Sequence, residues 1–234
     1  MLLESLRREV LEANLELVRR GLVLYTFGNA SGVDRDKGLV VIKPSGVPYE
    51  KLRAEDLVVT DLSGKIVEGE FRPSSDLPTH LELYRNFSGI GGVTHTHSEF
   101  ATAWAQAGRP IPCLGTTHAD YFHGPVPVTS DLTAREIAGD YEKNTGAAIC
   151  RTFEKLNPAD IPGVLVCGHG PFCWGATPAT AAHNSVILEA LARMAYYTAG
   201  LVHELKPLSS ALHDKHYLRK HGSAAYYGQP PDKT

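Results

Sequence analysis

No apolar run in this sequence approaches the roughly 18 residues that a membrane-spanning helix needs. No block of lysine and arginine marks a nucleic-acid surface, and 23 basic against 26 acidic side chains leave a formal charge of only −3. Neither a membrane nor a nucleic acid is therefore expected as a partner. The four cysteines, Cys113, Cys150, Cys167 and Cys173, form no CxxC pair, the usage of a reduced, cytoplasmic protein. A Walker P-loop and a Gly-rich dinucleotide fingerprint are both missing, so ATP and NAD are not expected. Repeats, low-complexity tracts and linker-like composition are missing too, and Met1 to Glu9 reads as a charged helix start rather than a leader.

What remains is ordinary globular material, with 43% hydrophobic and 21% charged residues in 234. A chain of that length buries roughly 70% of its unfolded surface, so it needs neither disulfides nor metal merely to fold. Leu2, Leu3, Leu6, Val10, Leu11, Leu15 and Val18 recur at helical spacing, and Gly21 ends that helix. Strands are predicted over 22–27 and 39–42, and over 57–61 and 65–67 as a hairpin about Ser63-Gly64. Cap residues ahead of Pro78 open a helix, and residues 98–107 read as another. A long loop over 110–130 follows. Thr133 and Glu136 set a capping box for a helix over 133–156. Residues 164–167 form a strand, and Pro178 starts a long helix to about Glu204. The pattern predicts one α/β domain over 1–234, with helices flanking a mostly antiparallel sheet and a polar tail from about residue 206.

Chemistry concentrates where apolar runs end. Gly91-Gly92-Val93-Thr94 leads into His95-Thr96-His97, and on a strand two residues apart point the same way. Two imidazoles so placed suit a divalent metal of the zinc group. His169 stands between Gly168 and Gly170 at the end of another apolar run, and Asp76 opens a helix. Three His with an Asp would hold Zn²⁺; Mn²⁺, Co²⁺ and Fe²⁺ accept the same donors. A cupin would want a glutamate where Ala101 and Thr102 stand, and a metal-dependent amidohydrolase a barrel-sized chain. Gly28-Asn29, Ser45-Gly46 and Ser74-Ser75 are small polar pairs at turns, with Lys43 nearby. They offer the compact donors that an anion such as phosphate requires, although turns favour these residues in any case.

Several motifs in one order resemble a known family. They are Gly28-Asn29-Ala30-Ser31, Lys43-Pro44-Ser45-Gly46, Pro73 to His80, His95 to Ser98, Gly115 to Phe122 and Gly168 to Phe172, with a closing pattern from Asp214 to Gln229. The chain is similar over nearly its whole length to the class II aldolase/adducin family, and within it to the L-ribulose-5-phosphate 4-epimerases. The resemblance implies a three-layer α/β/α fold and a C4 homotetramer with active sites at subunit interfaces. It implies a metal, usually Zn²⁺, on His95, His97, His169 and Asp76. Gly28, Asn29, Lys43, Ser45, Gly46, Ser74 and Ser75 would grip a sugar phosphate. Asp120 and Tyr227 would form an acid/base pair, the tyrosine from a neighbouring subunit, with Thr116, His216 and Arg219 close by. The implied reaction is metal-dependent epimerisation at C4 in carbohydrate metabolism, arabinose catabolism by default. A class II aldolase of the L-fuculose-1-phosphate type is the alternative, and an adducin-like binding module without activity is the second. In such aldolases a glutamate typically occupies the position of Asp76. Taken without the resemblance, Asp120 reads as a turn cap and Tyr226-Tyr227 as packing or tail.

Overall fold

The structure, a computed structural model, describes residues 1–222 and 225–228. Helix α1 (Glu4–Arg19) buries Val10, Ala13 and Leu17 on one face, and Gly21 ends it in a left-handed conformation (φ 67°). Seven strands follow: β1 (Asn29–Asp34), β2 (Leu39–Ile42), β3 (Val58–Asp61), β4 (Ile66–Glu68), β5 (Gly92–His95), β6 (Gly163–Val166) and β7 (Gly170–Gly175). They form one sheet in the order β4-β3-β2-β1-β5-β7-β6, every neighbour antiparallel. The helices between and after them are α2 (Leu77–Asn86), α3 (Glu99–Gln106), α4 (Thr116–Ala119), α5 (Ala134–Ala138), α6 (Tyr141–Thr152), α7 (Pro178–Leu201) and α8 (Ser210–Leu218).

Alternation along the strands splits the core in two. Val41, Val59 and Ala30 face α1 and α7, with Val10, Leu17 and Ala182 packed on them. Val40, Ile42, Val58 and Val93 face the other way, onto Leu81 and Tyr84 of α2 and Ile149 of α6. The expected helix–sheet–helix layering is therefore present. No helix among the described residues is long and apolar enough to cross a membrane, and all four cysteines are free thiols.

Three sequence expectations need correction. No strand forms over 22–27: Leu22 and Val23 are buried, but Leu24, Tyr25 and Phe27 are exposed and Tyr25 is left-handed (φ 51°). The strand begins at Asn29, in residues that read as a turn. It runs through the middle of the sheet beneath α1 and α7, where only small side chains fit. A Cβ on Gly32 would lie 2.8 Å from Leu6 Cδ1 and from Pro178 Cγ. The helix expected over 133–156 is two helices, α5 and α6, parted where Gly139 turns to ψ −138°. Its capping box does form, Thr133 N–H donating to Glu136 Oε2 at 2.8 Å. Finally β7, not expected, pairs with both β5 and β6 and places buried Phe172 and Trp174 opposite His95 and Val93.

The entry to β5 has no room for a side chain. A Cβ on Gly92 would come within 2.5 Å of Pro178 N and Cα and of Thr177 O, all backbone at the start of α7. Gly92→Ala should therefore cost about 1–3 kcal/mol or more through overpacking, read as a lower midpoint in urea. Gly89→Ala, with nothing within 4 Å of the added carbon, should leave that midpoint nearly unchanged.

Candidate functional site

β5 ends at His95, and two residues later His97 leads into α3. His169 occupies the turn between β6 and β7. Its two flanking glycines do different things. Gly168 takes the left-handed turn (φ 69°), whereas a Cβ on Gly170 would meet Thr96 O at 2.8 Å. The close approach of the hairpin to the end of β5 brings the three rings together, with centroids 4.7–4.9 Å apart. One ligating atom from each of His95, His97 and His169 lies within 4.8 Å of the others, and His95 Nε2 is 3.1 Å from His97 Nε2.

The tautomer of His95 follows from its partner. Its Nδ1 sits 2.9 Å from Pro171 O, which can only accept. Nδ1 therefore carries the proton, and Nε2 turns its lone pair into the cluster. The ring stacks on Phe172 at 4.2 Å. Burial pushes the His95 pKa down to about 3, and burial also lowers those of His97 and His169. All three rings are thus neutral near pH 7, the form that binds metal.

Asp76 lines the same cavity but lies outside the 4.8 Å cluster. Asn29 Nδ2 donates to its Oδ2 at 2.7 Å and also to Ser74 Oγ at 3.0 Å. Burial alone would raise the Asp76 carboxyl, but facing His95 and His80 and the Asn29 hydrogen bond outweigh it and hold the group low. Asn29 Oδ1 is buried and has no hydrogen-bond partner among the described residues. A divalent ion fits this donor set of three neutral imidazoles with a carboxylate nearby.

The cavity, about 480 Å³, is also lined by Gly28, Lys43, Ser45, Gly46, Ser74 and Ser75. All the residues expected to grip phosphate are therefore in one place. Ser45 N–H donates to Arg72 O and Ser74 N–H to Lys43 O, both at 2.9 Å. These two amides stitch the turns together, leaving the serine hydroxyls as the donors at those residues. Lys43 is buried, yet forms no salt bridge among the described residues. Its Nζ has only Pro44 O at 3.4 Å and the face of Tyr49 at 4.7 Å. Burial pushes its pKa down to about 8. A buried ammonium without a counter-charge is costly unless an anion arrives.

Five residues of this cavity were not among the expected contacts: Thr26, Phe27, Pro44 and, from the first turn of α6, Tyr141 and Glu142. Tyr141 OH lies 3.5 Å from His169 Nδ1. The break at Gly139 starts α6 there, and Gly139-Asp140, a helix-stopping glycine ahead of a cap residue, is its local mark in the sequence.

Thr116, Asp120, His216, Arg219 and Tyr227 do not line this cavity. They gather elsewhere on the chain, where α4 meets α8. Asp120 follows α4, its N–H donating to Thr116 O at 2.9 Å. Its carboxylate receives His216 Nδ1 at 3.0 Å and Arg219 through Nε at 3.0 Å and Nη2 at 2.6 Å, with Lys220 Nζ at 3.4 Å. Burial would raise this carboxyl, but Arg219 and His216 outweigh it and hold it ionised. The Tyr227 ring covers Arg219 at 5.0 Å and Lys220 at 4.4 Å, and its N–H donates to Arg219 O at 3.0 Å. Gln229, the end of the closing motif, lies outside the described residues.

Residues 8–196 match the Class II Aldolase and Adducin N-terminal domain. The chain belongs to the class II aldolase and adducin family. Among solved structures it is similar to an L-fuculose 1-phosphate aldolase at 26% identity, with 92% of this chain and 95% of the other covered and a TM-score of 0.79. The L-fuculose-1-phosphate aldolase of Thermus thermophilus is 27% identical, with coverages of 84% and 96% and a TM-score of 0.66. YgbL of Klebsiella pneumoniae, a candidate aldolase/epimerase/decarboxylase, is 25% identical, with coverages of 90% and 97% and a TM-score of 0.70. Class II aldolases typically depend on a divalent metal, and the histidine cluster is a donor set for one.

Lys43 gives this site a pH signature. It is charged below about 8 and loses the charge above, so affinity for inorganic phosphate should fall as pH rises through that value. Lys43→Met should weaken phosphate binding at pH ~7 by roughly ten- to a hundredfold, the worth of a charged hydrogen bond, and flatten that pH dependence. Isothermal titration either side of the Lys43 value checks both.

Proposed function

We propose that this class II aldolase-family chain epimerises L-ribulose 5-phosphate to D-xylulose 5-phosphate by breaking and remaking the C3–C4 bond. One observation carries the reading. A single 480 Å³ cavity joins three ligating histidines to a buried, uncompensated lysine and three serines, so one end of it suits a chelating ketone and the other a phosphate.

The chemistry calls for such a cavity. The C4–H of this ketose is not adjacent to the carbonyl and is not acidic, so direct deprotonation does not serve. Cleaving C3–C4 converts the C4 hydroxyl to an aldehyde and leaves the electron pair on the ketone-side fragment as an enediolate. His95, His97 and His169, with Asp76 beside them, would hold a divalent ion such as Zn²⁺, which when bound would supply Lewis-acid stabilisation of that charge. Lys43, Ser45, Ser74 and Ser75 retain the aldehyde phosphate while it turns its other face. Asn29 holds Asp76 in place through its Nδ2 hydrogen bond.

Asp120 and Tyr227 fit opposite-face proton transfer, one taking the C4 hydroxyl proton and the other returning it. The cations around Asp120 keep it ionised, which suits the accepting role. The two share one cluster and neither lines its own chain's cavity. Our reading is therefore that one neighbouring subunit of a C4 homotetramer delivers both, a refinement of the expectation that only the tyrosine crosses over. The short Asp76 side chain favours epimerisation. Similarity to L-fuculose 1-phosphate aldolases supports the second reading, an aldolase of that type that releases its aldehyde.

A coupled assay on L-ribulose 5-phosphate should show D-xylulose 5-phosphate accumulating. Dihydroxyacetone and glycolaldehyde phosphate appearing in its place would establish the aldolase. Tyr227→Phe should fold and keep its metal but turn over about 10²- to 10⁴-fold more slowly. Mixing inactive His97→Asn and Tyr227→Phe chains should restore activity to about a quarter of the sites, by random assortment of shared sites. No rescue in proven mixed tetramers would place tyrosine and metal on the same chain.

A further inference from the structure

A second group of metal-binding side chains lies outside the cavity. His123 is in the turn after α4, and His213 and Asp214 are in α8. One ligating atom from each lies within 4.8 Å of the others. We propose that these three residues form a second divalent-metal site, of the zinc class, that clips α8 to the loop after α4.

Each ring is already held for the task. His213 Nε2 sits 3.2 Å from Phe122 O. A carbonyl only accepts, so Nε2 carries the proton, the arrangement that orients metal-ligating histidines. With its proton on Nε2, the ring turns Nδ1 toward Asp214 Oδ1, 3.6 Å away. Nδ1 and the carboxylate oxygen are both electron-rich, and a cation between them, a metal ion or a proton, is what joins such a pair. His123 Nε2 is 3.1 Å from the same oxygen, Oδ1. The His123 ring is stacked on His213 at 4.8 Å and braced by Tyr217 at 4.5 Å. Tyr217 is fixed in turn by its hydroxyl, which donates to Asp160 Oδ1 at 2.9 Å, and His123 N–H donates to Asp160 O at 2.9 Å. The His213 side chain is 13% exposed, those of His123 and Asp214 40% and 53%, so one side stays open for water ligands.

Two imidazole nitrogens and one carboxylate select zinc, cobalt or nickel over magnesium or calcium. An ion here would tie down the helix that carries His216 and ends just before Arg219, the residues gripping Asp120. The test is zinc stoichiometry by equilibrium dialysis of the full chain against ZnCl₂, with MgCl₂ as control. Substituting exposed Asp214→Asn or His123→Asn should remove one zinc equivalent per chain and leave far-ultraviolet circular dichroism unchanged. His97→Asn should still bind zinc, and the double variant His97→Asn/Asp214→Asn should bind one equivalent less than His97→Asn alone. This difference is independent of the site assigned to His95, His97 and His169. If the double variant binds as much zinc as His97→Asn, a shared proton and not a metal joins the three side chains, and the proposal falls.

Discussion

The pairing of β5 between β1 and β7 is the constraint on which the site depends. In that register Asn29 lies opposite His95, and His95 opposite Phe172. One strand supplies the amide that holds Asp76, the next the buried histidine, the third its stacking partner and, through the hairpin turn, His169. A one-residue slip in either ladder would turn these side chains to the α1/α7 face. The register is guarded by steric fit: Gly92 lies against the start of α7 and Gly32 against α1 and α7. Thr94, on the opposite face from His95, hydrogen-bonds Ser185 Oγ of α7 at 2.7 Å.

This rigidity has an electrostatic counterpart. The cavity collects buried groups that water would otherwise solvate: neutral imidazoles, a carboxylate, an orphaned amide oxygen and an unpaired ammonium. Each alone costs free energy when buried unpartnered. Together they are complementary to a metal-chelating, anionic ligand, and the uncompensated groups mark where its parts belong. The arrangement at Asp120 is the opposite. There a carboxylate is saturated by His216, Arg219 and Lys220 within its own chain.

Much of this was legible in the residues. The amphipathic spacing of α1, the strands at 39–42 and 57–61 and the Thr133–Glu136 capping box are local properties, and they formed as expected. The serine and glycine turns, Lys43 and the three histidines also converge as anticipated. The misplaced strand has a plain cause. Leu22 to Phe27 has the composition of a strand, while Asn29 to Gly32 has that of a turn, and crowding beneath two helices reverses the preference. Tyr141 and Glu142 reach the cavity because α6 starts afresh after Gly139-Asp140, a break that the helical pattern on either side outweighs in the sequence.

By itself the sequence determined which chemistry was available: imidazoles at the ends of apolar runs, small polar turns, one lysine among them, and an ordered set of family motifs. Periodicity and capping act between near neighbours, so the chain also determined most of its helices and the antiparallel class of its sheet. Only the tertiary structure decided which groups share a cavity. It set Asp76 against Asn29 instead of in the histidine cluster, left Lys43 without a salt bridge among the described residues, and gathered Asp120 with Tyr227 away from the pocket. Such distances depend on sheet register and helix docking, which join residues far apart in the chain and have no signature in any one stretch of it.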